Sequence, residues 1–109
     1  MDEEHRHQLG PTLGGSVMID IGGHMGALVI TTPAELALQE IEISADKPGA
    51  ERVHVAVRER RTPGRPPRYA AVFPSLRSGI YTVWREKGHA EPSRTVTVTG
   101  GEVTEIDWP

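Results

Sequence analysis

VFPSLRSGIYTVW, residues 72 to 84, is the stretch whose reading decides the fold. It reads as a strand, a tight corner and a second strand, with Phe73, Leu76, Tyr81 and Val83 marking the inner face of a sandwich. Pro74 fixes φ and has no N–H to give a ladder, so the first strand is expected to end there. Gly79 accepts the backbone angles of a turn at little steric cost, and the second strand starts at Ile80. Leu76, Gly79 and Tyr81 have the spacing of a tyrosine corner, in which a phenol near the start of a strand bonds backbone just upstream and so satisfies its buried polar tip. An ordinary hairpin with a half-exposed tyrosine is the alternative.

Upstream of the corner, Arg52 to Arg60 carries the cleanest two-residue period in the chain. Val53, Val55 and Val57 fall on one face, and His54, Ala56 and Arg58 on the other. Glu40 to Ser44 alternates with Ile41 and Ile43 inward, and Ala27 to Thr31 is an apolar run suited to a buried strand. Ser16 to Ile21 alternates as well, with Val17, Ile19 and Ile21 together. A short helical turn is expected at Pro33 to Leu36, with Thr32 as N-cap and Pro33 in the first helical position. Downstream, Thr95 to Thr99 places Val96 and Val98 inward. Gly100-Gly101 is a two-residue hairpin signal, and Val103 to Trp108 is the last strand.

Together with Arg68 to Phe73 and Ile80 to Arg85, these make eight candidate strands, separated by turns rich in glycine and proline. The expectation is an all-β chain of one domain: a seven- to eight-stranded antiparallel β-sandwich over residues 15–109, preceded by a mobile polar arm, residues 1–14. With 109 residues, a 37% apolar share and five aromatic residues, the core must be thin and built on Val, Ile and Leu.

Cysteine is absent, which excludes disulfides, thiol catalysis and thiolate metal sites. The acidic start MDEEHRHQLG lacks the apolar core of a secretion signal, and no apolar run reaches the length of a membrane span, so a cytoplasmic location is expected. The net charge of −3 is unevenly spread. Arg52 to Arg94 holds ten Lys/Arg against three Asp/Glu, a net of +7, while the remainder holds two against twelve, a net of −10. Such asymmetry favours self-association or the steering of a charged partner.

From about Gly26 to Trp108 the chain resembles the transthyretin-like, carboxypeptidase-regulatory-like sandwich modules. The resemblance rests on Phe73, Leu76, Gly79 and Tyr81, followed by TVTVT, the Gly100-Gly101 turn and EVTEIDW; Arg77-Ser78 stands where the family pattern has a proline after the leucine. It implies a transthyretin-like or Ig-like sandwich, of a kind that is mostly noncatalytic. With IDIGGHMGALVITTPAEL and HVAVRERR, the whole chain is also similar to a set of short bacterial proteins, some of which carry the label phospholipase. The residues argue against that label. Gly14-Gly15-Ser16-Val17-Met18 lacks the closing glycine of a nucleophile elbow and precedes a strand with no helix after it.

Three constellations carry candidate chemistry. Arg58, Arg60, Arg61, Arg65 and Arg68 crowd one hairpin and suit a phosphate, a carboxylate-rich protein or nucleic acid, the plainer reading being a solvated loop. The acidic total and the single nearby aromatic, Tyr69, weigh against nucleic acid. His5 and His7, close to Asp2, Glu3 and Glu4, suit a divalent ion such as zinc, nickel or copper, the alternative being an inert or partner-contacting tail. His24 and His54, with Asp20 and with Met25 or Met18, form a second candidate metal set if their elements adjoin; single surface histidines are the alternative. Trp84 and Trp108 suit core or edge cover, and an exposed Trp84 would mark an interface.

The function expected first is a noncatalytic binding or accessory module that joins itself or an enzyme partner through strand edges, the arginine hairpin and Trp84. A small metal-binding or metal-delivery protein using the histidines is the alternative. No nucleophile–base pair can be assembled, so an enzyme is not expected, and no cofactor other than a possible divalent metal is implied.

Overall fold

The computed structural model describes residues 19–85 and 91–108. The 1–14 arm, its boundary at residue 15, and the candidate ligands His5 and His7 lie outside the described residues. The chain is almost entirely β: β1 (Met25–Thr32), β2 (Glu40–Ala45), β3 (Arg52–Ala56), β4 (Arg58–Arg60), β5 (Arg68–Arg77), β6 (Gly79–Trp84), β7 (Pro92–Val98) and β8 (Val103–Asp107). Its helical content among the described residues is one 3-10 turn, Ala34–Leu36. Two four-stranded sheets result, ordered β4-β5-β1-β8 and β3-β2-β6-β7. The expected sandwich is therefore present. Its pairings are antiparallel except β1 with β8, which run parallel from Ala27 opposite Val103 to Thr31 opposite Asp107.

Alternation along the strands sends Leu28, Ile30, Ala71 and Phe73 of the first sheet against Ile41, Ile43, Tyr81, Val83, Val96 and Val98 of the second. The same alternation leaves Val29, Ala70 and Val72 on the outer face of the first sheet, where they form a second buried cluster with Ile19 and Val103. At the corner, the Tyr81 hydroxyl donates to the Arg77 carbonyl at 2.7 Å, as the Leu76-Gly79-Tyr81 spacing predicts. Burial pushes the phenol pKa upward, an effect that the nearby Arg77 charge reduces.

Several local expectations are corrected. β5 does not stop at Pro74 but runs on to Arg77. Leu28 faces Phe73 and Gly26 faces Leu76, so Pro74 and Ser75 stand as a bulge opposite Ala27, where a missing N–H costs no ladder bond. Of the predicted 16–21 strand, residues 19–21 form none. Ile19 packs on the outer cluster, and Asp20 makes a single backbone bond, to the Pro74 carbonyl at 3.1 Å. Thr32 does not cap the helical turn; its hydroxyl donates to the Pro33 carbonyl, and Pro33 itself flanks the turn in an extended conformation.

The 52–60 strand is two strands in different sheets. β3 pairs with β2 and β4 with β5, and the chain changes sheet at Val57, whose N–H bonds Gln39 and whose carbonyl accepts the Leu38 N–H. Val57 is wholly buried, whereas Val53, expected to point inward beside it, is 44% exposed at the sheet edge.

Gly100-Gly101 makes a turn but no hairpin, because β7 and β8 belong to opposite sheets. The glycines let the crossing pass hard against backbone. A Cβ on Gly100 would lie 2.1 Å from the Gly23 carbonyl oxygen, and one on Gly26 would lie 2.3 Å from that of Thr99. Gly101 N–H then bonds Met25, and Ala27 N–H bonds Glu102, which seats β8 beside β1.

Candidate binding surface

β4 has three residues, and its pairing with β5 decides where the arginines go. Arg58 lies opposite Ala70 and Arg60 opposite Arg68, so all three arginines share the outer face of the first sheet, the face of Ala70. Glu59 projects to the other face of the strand, where it pairs with Arg61 at 3.0 Å. Arg68 reaches across β1. Its Nη2 donates to Thr31 Oγ1 at 3.2 Å and forms an ion pair with Glu105 of β8, to which the Thr31 hydroxyl also donates. One of the three is thereby neutralised.

Arg60 is not. It is 7% exposed, its Nη2 makes one long bond to the Ala70 carbonyl at 3.4 Å, and its Nε has no partner. Burial pushes its pKa below the ordinary value, and the Arg58 charge adds to the effect. A guanidinium presents five donors and stays charged at neutral pH, so enclosure without a carboxylate is an unfavourable state that an anion would relieve. Arg58 and Arg65 are exposed.

Trp84 stands on the opposite side of the molecule, on the outer face of the second sheet. The predicted partner-binding set is thus divided, with Arg58, Arg60 and Arg68 brought together, Arg61 turned to the other face of β4, Arg65 in the loop, and Trp84 apart. The Trp84 indole N–H donates to Ser44 Oγ at 3.0 Å, and the Arg52 guanidinium lies over its ring, 3.6 Å from the centroid. Arg52 also pairs with Glu42 at 2.9 Å, and His54 lies 3.7 Å from Glu40 and 3.9 Å from Glu42. Beside this network, under the β2–β3 turn, is an open cleft of about 490 Å³ reaching Asp46, Lys47 and Thr82.

Sequence reasoning missed the Arg52–Glu42–His54 group. Its signal was present in the polar members of the two alternating runs, since Glu42 faces His54 and Ser44 faces Arg52 once β2 and β3 pair.

The structure does not bring His24 to His54. His54 is on β3 at one edge of the second sheet. His24 is exposed in the turn before β1, where its carbonyl accepts the Ser78 N–H. Among the described residues no three His, Cys, Asp or Glu side chains are grouped to hold a metal. Trp108 packs against the core edge, as expected. No helix among the described residues is long and apolar enough to cross a membrane.

Neither protein-family models, curated proteins nor solved structures match this chain. The functional reading therefore rests on the two sheet faces alone.

Proposed function

We propose that this chain is a noncatalytic binding module that works in the cytoplasm and takes an acidic protein partner on the arginine-bearing edge of its first sheet. The observation that carries the reading is the Arg60 guanidinium, enclosed with Nε unpartnered and Arg58 exposed on the same face. On the other sheet, by contrast, the Arg52 guanidinium is engaged by Glu42 and Trp84. A second copy of the chain is a poor occupant, since β4 against β4 would set arginine opposite arginine. The sandwich is read as transthyretin-like, a reading supported by the corner in which Tyr81 bonds Arg77.

Titration of the full chain with poly-L-glutamate tests the function. Saturable binding that weakens with added salt is expected. Arg58→Gln should lower the affinity about fivefold, the worth of one partly exposed charge pair, and Trp84→Phe should leave it unchanged. No saturable binding, or equal loss from both substitutions, would refute the arginine edge as the site.

A further inference from the structure

The partner's backbone geometry follows from where the two arginines sit. β4 is an edge strand: in the described sheet it is paired with β5 on one side only. Edge strands present unpaired N–H and C=O groups in a row, and an extended segment of another chain adds to them by main-chain bonds, with side-chain identity read at every second position. On β4 the second-position residues of the outer face are Arg58 and Arg60. A strand laid beside β4 would set two of its own alternate side chains on that same face, next to the two guanidiniums.

Charge chooses what those side chains are. Arg68, the next basic group across the ladder, is already held by Glu105, and Glu59 is turned away to Arg61. Arg58 and Arg60 are left as a pair of like charges close enough for one to depress the pKa of the other. Two carboxylates at the same alternate spacing relieve both the repulsion and the missing bond at Arg60 Nε.

We infer that β4 receives an extended acidic segment of a partner protein, with Asp or Glu at alternate positions, as an added strand. This rests on the proposed acidic-partner reading and specifies how the partner lies. Arg58, exposed, makes the first contact. Arg60, held in the free chain by a single long bond, then turns to the second carboxylate.

The test uses the full chain and two dye-labelled peptides of equal composition, one alternating threonine and glutamate and the other with its glutamates consecutive, read by fluorescence anisotropy at physiological salt. The alternating peptide should bind about tenfold more tightly, and N-methylation of its threonine or glutamate amides, whichever face β4, should remove most of that advantage. Arg60→Gln should abolish the preference for alternation; if that variant does not fold, Arg58→Gln, at an exposed position, should reduce the preference instead. Equal binding of the two peptides, insensitive to N-methylation, would overturn strand addition while leaving an acidic partner in place. Binding of neither would overturn both readings. Tighter binding of a short oligodeoxythymidylate than of either peptide would reassign the arginines to phosphate. Binding only after Asp2→Asn, Glu3→Gln and Glu4→Gln are combined would assign the edge to the chain's own acidic start and overturn the inference.

Discussion

Tyr81 shows what a single side chain settles in this molecule. Its ring lies in the core, while its hydroxyl, donating to Arg77, ties the start of β6 to the end of β5. Tyr81→Phe keeps the ring and removes the bond, which should cost about 1–2 kcal/mol in urea unfolding, as the Arg77 carbonyl loses a partner at a packed corner. The phenol pKa is raised on folding above its ordinary value of 10.0, so the contribution of the neutral phenol is fully present below that pH. It is lost as pH rises through the higher folded value, because the unfolded chain gives up the proton first. Stability of the parent should fall in that alkaline range, and the phenylalanine variant should lack this component of the fall. The corner was legible in the sequence because proline, glycine and tyrosine each have a narrow set of uses at fixed spacing. Arg60 was not legible as a buried charge. Its four arginine neighbours made it look like one of a solvated crowd, and its enclosure depends on which face of a three-residue strand it occupies.

Elements were read well by face and badly by partner. The two-residue period of Val53, Val55 and Val57 treats the three valines as equivalent, but the chain leaves one sheet for the other at Val57. Val57→Ala should therefore cost about 2 kcal/mol, from lost burial and the cavity left at the crossing, and Val53→Ala less than about 0.5 kcal/mol. Similar losses at both positions in chemical denaturation would contradict the sheet change. Alternation reports which side chains are turned together and is blind to the backbone's choice of neighbour. For the same reason Gly100-Gly101 read as a hairpin: the signal for a reversal was real, but the close approach of Gly100 to Gly23 steers the returning strand to the far sheet. Pro74 misled in the opposite sense, since a bulge makes room for a residue that the ladder would reject. Among the described residues the strand count is still eight, because residues 19–21 of the predicted 16–21 strand form none and another predicted strand divides in two.

For the whole molecule, the proposed role of the arginine edge would set recognition against stability. A domain of this size is held by about 5–15 kcal/mol in all, and an enclosed, uncompensated guanidinium subtracts from that total. Arg60→Met keeps the length and apolar stem while removing the charge, so it should raise the unfolding midpoint of the free chain and weaken its hold on poly-L-glutamate. A variant that is both less stable and equally adhesive would show that Arg60 serves packing alone. The division of functional groups between two outer faces was beyond the sequence, because net charge along the chain says nothing about which sheet a segment joins. The parallel pairing of β1 with β8 has a further outcome for how the chain is made. β1 takes its place between β5 and β8, so its ladder on one side waits for a segment some seventy residues later. Such long-range closure is slow. During synthesis β1 has one edge unpaired until β8 emerges, and an unpaired strand edge invites aggregation.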